Sequence, residues 1–185
     1  TLMPGQIKMK DLDKNGVLDD HDKVLLGSKD PAFLFGFNNT VRYKNFDLNI
    51  YLYGEVNALK GASYYDDWTT MGYGFTQGRN SSQGFKDTWR HDNQHAKYAN
   101  ITGVGPDGAG DYFIKKISYL RCRNITLGYT IPVSNKILNN IRVYADVNNP
   151  FVLTNWTGLD PETDNGNSYA YPNVTSFSLG VDITF

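Results

Sequence analysis

The chain has 185 residues, enough for one ordinary domain with a sizeable core. Its 18 Lys and Arg stand against 19 Asp and Glu, a net charge of -1, which excludes the clustered positive charge of a broad nucleic-acid footprint. Cys122 is the single cysteine, so no intrachain disulfide framework exists, and no run of about 18 apolar residues offers a transmembrane helix. Thirteen Tyr and 18 Gly favour strands and turns over helices.

The first chemistry-bearing stretch is "DLDKNGVLDDHD", residues 11–22. With Asp11 as position one, oxygen ligands fall at Asp11, Asp13, Asn15, the carbonyl of Val17, Asp19 and Asp22, and Gly16 sits at the sharp turn. Hard Ca²⁺ takes several oxygens at this spacing, as in an EF-hand loop. Position twelve is Asp22 rather than Glu, which shortens its reach, and Pro4-Gly5 interrupts any entering helix. The pattern is therefore closer to a dockerin-like calcium loop than to a paired EF-hand. A polar turn with no metal fits the same residues.

Next comes "FLFGFNNTVRYKNFDLNIYLYG", which reads as a hairpin. Phe33, Phe35, Phe37, Val41 and Tyr43 alternate with smaller or polar residues; after Lys44-Asn45 the phase resumes as Phe46, Leu48, Ile50 and Leu52, with Asp47, Asn49, Tyr51 and Tyr53 opposite. Residues 55 to about 112 carry no sustained period. Within them Tyr64, Tyr65, Trp68 and Trp89 lie among Asp, Asn and Arg, as rings that stack on sugars or grip peptide do, or as rings that pack the loop on itself. His91 and His95 are four apart but lack an evident third ligand, and the Gly103–Gly110 cluster neither follows a strand nor opens a helix. No catalytic constellation is assignable.

Three further strands follow. In "YLRCRNITLGYTI", Ile125, Leu127, Tyr129 and Ile131 oppose Asn124, Thr126, Gly128 and Thr130; upstream the phase breaks, which predicts a bulge or emergence from a membrane. In "NIRVYADVNN", Ile141, Val143, Ala145 and Val147 oppose Arg142, Tyr144, Asp146 and Asn148. In the closing "SFSLGVDITF", Thr175, Phe177, Leu179, Val181, Ile183 and Phe185 oppose Ser176, Ser178, Gly180, Asp182 and Thr184.

Short and long connections alternate, and long structureless loops count against a compact soluble domain. Short turns at one end and long loops at the other mark an outer-membrane barrel, whose strands alternate lipid-facing and lumen-facing residues. The expected fold is all-β: about five antiparallel strands of a large transmembrane β-barrel with long extracellular loops. Five strands cannot close, since such barrels need about eight, so the chain is expected to be part of a larger one. The competing reading is a secreted calcium-dependent binding module built as a β-sandwich.

The terminal octet places Ser178, Gly180, Ile183 and Phe185 in the pattern polar, Gly, apolar, aromatic. It resembles the β-signal by which outer-membrane barrels are recognised for insertion by the barrel-assembly machinery. Together with "PGQIKMKDLDKNGVLDDHDKVLLGSKDPAFLFGFNNTVRYKNFDLNIYLYG", "YLRCRNITLGYTIP" and "IRVYADVNNPFVLTNWTGLDPE", the chain resembles the C-terminal region of a SusC/RagA-type TonB-dependent transporter over nearly its whole length, residues 1–185. The resemblance implies a twenty-two-stranded plugged barrel in the outer membrane of a Gram-negative bacterium. It further implies import of oligosaccharide or peptide, with a SusD-like surface lipoprotein over the mouth and the TonB system beneath. The plug would precede Thr1. By the alternation of strands back from a periplasmic Phe185, the 11–22 loop is expected to face the medium.

Overall fold

The computed structural model describes residues 4–61, 83–100, 111–112, 114–133, 138–163 and 171–185. Five strands, β1 (Phe33–Tyr43), β2 (Phe46–Lys60), β3 (Lys115–Ile131), β4 (Asn140–Thr154) and β5 (Ser176–Thr184), form one sheet in the order β1-β2-β3-β4-β5. Each strand lies beside its successor, and helix among the described residues is confined to two 3₁₀ turns, Asp20–Asp22 and Gln83–Asp87. No second sheet exists among the described residues, so the sandwich reading finds no partner layer. No helix among them is long and apolar enough to cross a membrane.

The sheet residues Pro31–Ala58, Ile117–Trp156 and Asn173–Phe185 make one compact unit; the intervening segments make another. Within the sheet, the register sorts the side chains as the period of two predicts. Val41 pairs with Leu48, Leu127 with Ala145 and Ala145 with Leu179, so these residues share one face. Arg42 pairs with Asp47, Thr126 with Asp146 and Asp146 with Ser178 on the other. The apolar face is open: Phe177 is 78% and Leu179 88% exposed.

The polar face is knitted by side chains. Asp146 accepts from Asn124 Nδ2 (2.5 Å), Thr126 Oγ1 (2.6 Å) and Asn148 Nδ2 (2.8 Å). Asn49 Nδ2 donates to Asn38 Oδ1 and Thr40 Oγ1, both at 2.9 Å. Arg142 on β4 reaches across β3 to Asp47 on β2, with Nε and Nη2 at 2.9 and 2.6 Å from its carboxylate, and extends Nη1 to Asp182 on β5 at 3.2 Å. Gly128 makes the crossing possible. A Cβ there would stand 2.5 Å from both Arg142 Nη2 and Asp47 Oδ1.

The hairpin turn falls at Lys44-Asn45 as expected, with Lys44 at φ 54°, and Asn45 O accepts from Thr130 N at 2.8 Å. The predicted irregularity is also present, but the extra residue is on β4. Cys122 pairs with Phe151 and Asn124 with Asn148, so Asn149 and Pro150 together oppose Arg123. Asn149 takes φ 49°, and Pro150 has no N–H to lose from the ladder. Past this bulge the phase of β3 inverts. Ile117 and Tyr119 bury themselves with Ala58 and Trp156, against Tyr53, which shares the face of Asp47 by parity.

Strands β2, β3 and β4 run longer than alternation alone indicates. β2 continues to Lys60 through Gly54, Asn57 (φ 59°) and Ala58, where small residues and a backbone irregularity replace the ladder pattern.

Gly128→Val in the full-length protein is expected to lower urea resistance by about 1–3 kcal/mol through overpacking. The loss should shrink in an Arg142→Ala background, which removes the group it collides with. Equal losses in both backgrounds would show that Gly128 acts by some other route.

Candidate metal loop and its surroundings

The 11–22 loop folds through two left-handed positions, Lys14 (φ 60°) and Gly16 (φ 85°). Gly suits the second without penalty. Side chains then tie the turn to itself. Asp11 Oδ2 accepts from Gly16 N at 2.8 Å, Asp13 Oδ1 from Asn15 N at 3.0 Å, and Asn15 Oδ1 from Val17 N at 2.7 Å. Asp22 closes the loop, accepting from Leu12 N (2.6 Å) through one oxygen and Asp19 N (3.0 Å) through the other. The Asp19 and Leu12 N–H groups hold the Asp22 carboxyl below the usual carboxylate range; the bond to Lys23 does the same for Asp20.

This folding brings one oxygen each from Asp11, Asp13 and Asp22 within 4.8 Å of one another. Asn15 is attached to the group through Nδ2, 2.8 Å from Asp13 Oδ2. Asp11 Oδ1 is shielded from solvent and has no hydrogen-bond partner. Three converging carboxylates and a desolvated, unbonded carboxylate oxygen fit a hard divalent cation. Asp22 joins despite its short side chain because the 3₁₀ turn carries it inward. Asp19 caps that turn, accepting from His21 N at 2.8 Å, and stands outside the three-carboxylate group.

Of the four aromatic candidates, Tyr64, Tyr65 and Trp68 lie outside the described residues. Trp89 is half-buried. Its ring lies where a side chain on Gly5 (φ 82°) would sit, with a built Cβ 2.4 Å from it, and its centroid is 5.3 Å from His91 in an edge contact. Gly5 O accepts from Asn100 N at 2.7 Å, and Trp89 N donates to Tyr98 O at 2.8 Å. In the same unit, Lys60 Nζ donates to the Pro161 carbonyl, and Asp160 Oδ1 accepts from Glu162 and Thr163 N–H groups. Of the terminal octet, Ser178 and Gly180 lie on the polar face, opposite Asp146 and Tyr144, and the Tyr144 ring occupies the space above Gly180. Ile183 lies on the apolar face opposite Ile141, and Phe185 is 79% exposed.

Sequence reasoning assigned Asp47, Arg142 and Asp182 to one face but not to one another. Asp47 and Arg142 are 95 residues apart, and nothing local ties them together. The one clue is Gly128, a missing side chain midway along a polar face.

A sheet with one predominantly apolar face and one internally bonded polar face is a segment of outer-membrane β-barrel wall. Over 95% of its length the chain is 34% identical to the TonB-dependent receptor SusC of Bacteroides thetaiotaomicron, of which it spans 17%. It is 29% identical over 98% of its length to TonB-dependent receptor P3 of Formosa agariphila, spanning 19% of that protein. Among solved structures it superposes on the RagAB peptide importer in the 'closed-closed' state with a TM-score of 0.75, at 21% identity, covering 98% of this chain and 20% of that one. Another RagAB peptide transporter structure gives 0.73 at 22% identity, covering 85% of this chain and 18% of that one. No protein-family model matches. The chain is a barrel segment of the SusC/RagA type of TonB-dependent receptor, less than a fifth the length of these two relatives.

If the Trp89 ring is a packing element, Gly5→Ala should speed amide exchange at Trp89 and Asn100 by opening that contact. Unchanged protection would leave the ring free to serve as an exposed binding surface.

Proposed function

We propose that the chain forms part of the wall of an outer-membrane importer energised through the TonB system, with a SusD-like surface lipoprotein at its mouth. The carrying observation is the two-faced sheet, combined with likeness to SusC over nearly the whole chain. The cargo class is oligosaccharide or peptide. Tyr64, Tyr65, Trp68 and Trp89 of the long β2–β3 connection supply aromatic surfaces for it, and the octet containing Ser178, Gly180, Ile183 and Phe185 is the strand recognised at assembly. The two-residue turn at Lys44-Asn45 marks the periplasmic end, because short turns lie on that side. The chain then enters β1 from the extracellular end. In the full-length receptor, exchanging Phe185 for Asp should reduce the amount inserted in the outer membrane while synthesis continues. Normal surface abundance would overturn the assembly role.

The 11–22 loop is proposed to hold Ca²⁺ through Asp11, Asp13, Asn15, Asp22 and the carbonyl of Val17, with a water between Asp19 and the ion, as position nine of such loops allows. When bound, the ion neutralises carboxylates that otherwise repel. The residues' own part is to order the approach to β1. Asp11→Asn and Asp13→Asn in the full-length receptor should each weaken calcium affinity at least about tenfold by calorimetry, the scale expected for lost ligand charge. Parallel protease digestion should show cleavage near Asp20 increasing when calcium is chelated. No calcium heat in the parent protein, with cleavage indifferent to chelation, would sink the assignment.

A further inference from the structure

Asn15 is followed by Gly16 in the middle of the 11–22 loop, and that pair has a chemistry of its own. The main-chain nitrogen after an asparagine can attack the side-chain amide carbon, and glycine, with no side chain, obstructs the attack least. The reaction is ordinarily slow for electronic reasons. An amide N–H is a weak nucleophile until it loses its proton, and the carbonyl oxygen must take up negative charge.

The fold of the loop answers both difficulties. Gly16 N, the nucleophile, donates to Asp11 Oδ2 at 2.8 Å. A carboxylate at that distance is placed to take the proton as the nitrogen attacks. The other oxygen of Asp11 is shielded from solvent and bonds to nothing else. Asn15 Oδ1, where the charge develops, accepts from Val17 N at 2.7 Å, the distance of an oxyanion donor. Asn15 Nδ2, the leaving nitrogen, donates to Asp13 Oδ2 at 2.8 Å, which fixes the amide with Oδ1 toward Val17. Both Asn15 and Gly16 are exposed, so water reaches them. A Cβ built on Gly16 would meet nothing within 4 Å, so a ring has room to close there.

We infer that Asn15 is a self-modification site, converted by its own loop through a succinimide to aspartate and isoaspartate. Gly16 N forms a bond to Asn15 Cγ, and its proton passes to Asp11 Oδ2. The Cγ–Nδ2 bond then breaks, and the nitrogen leaves as ammonia with a proton returned from Asp11 through water. Water next opens the ring. Opening at the side-chain carbonyl leaves aspartate, which adds a carboxylate beside Asp11, Asp13 and Asp22. Opening at the main-chain carbonyl leaves isoaspartate, which lengthens the backbone by a methylene just before Gly16 and disrupts the bonds at Gly16 N and Val17 N. Either product alters, irreversibly and with time, the loop that leads into β1. The reaction goes beyond the import reading and needs no ion, so the calcium assignment stands or falls by its own measurement.

The test incubates the full-length receptor in heavy-oxygen water with a chelator, folded in detergent or unfolded in concentrated urea. Cleavage after Lys14 and Lys23 releases residues 15–23, and mass spectrometry follows heavy oxygen into position 15. The folded protein should react several-fold faster than the unfolded one. Asp11→Asn, which removes the proton acceptor, should lower the ratio of folded to unfolded rates toward unity. Val17→Pro, which removes the N–H at Oδ1 and leaves Asp11 in place, should lower its own ratio likewise. An amide that lasts as long in the folded protein as in urea, or longer, would overturn the inference, because the same bonds would then be protecting Asn15. A folded rate that neither substitution lowers would overturn it too, since the reaction would owe nothing to Asp11 or Val17.

Discussion

A strand inside a bilayer has no water to satisfy its N–H and C=O groups, so its ladder must be complete and its side chains must divide by parity. Everything else in this sheet depends on that division. Because Val41, Leu48, Leu127, Ala145 and Leu179 occupy one face in register, the opposite face is free to collect polar groups. Because it is crowded with them, they bond to one another: Asn49 with Asn38 and Thr40 on the neighbouring strand, and Asp146 with Asn124 and Thr126 on β3 and with Asn148 on its own strand. Hydrogen bonds of this kind contribute modestly one by one. Their joint effect is to fix the side chains of a polar wall that would otherwise compete for water.

Where the parity changes, the environment changes with it. The Asn149–Pro150 bulge lies at the boundary between a two-faced ladder and a conventional small core of Ile117, Tyr119, Ala58 and Trp156. Below the bulge, the solvent for the apolar face is lipid; above it, apolar groups bury one another. The same chain thus obeys two solvation regimes, and one extra backbone residue separates them. The 11–22 loop and the Trp89–Gly5 contact belong to the connecting segments, where turns close on their own side chains.

The faces of all five strands were legible in the sequence because a period of two leaves a local trace in every strand. The two-residue turn was legible for the same reason, and the broken phase near Cys122 correctly announced a bulge. Its placement on β4 was not legible, since a phase error in β3 does not say which of two paired strands holds the extra residue. Strand ends were underestimated where Gly54 and Ala58 break the alternation without ending the ladder. In the candidate site, spacing pointed to Asp11, Asp13, Asn15, Val17, Asp19 and Asp22; of these the carboxylates of Asp11, Asp13 and Asp22 converge, while Asp19 caps the 3₁₀ turn. The capping role belongs to a 3₁₀ turn in which Asp22 accepts from Leu12 N and Asp19 N, the first a contact between residues ten apart that spacing does not show.

The Arg142 crossing carries a consequence for accuracy in assembly. If β4 were laid against β3 one residue out of step, Arg142 would turn to the apolar face, where a guanidinium so near the turn end costs about 0–1 kcal/mol, and Asp47 would lose its bidentate partner. A slip of two residues would restore the face but bring the guanidinium against a side chain instead of the gap at Gly128. Both nearest errors are therefore penalised, by different means, at a single position. The ion pair works as a proofreading mark: it sets the alignment of four strands by being tolerable in only one of them.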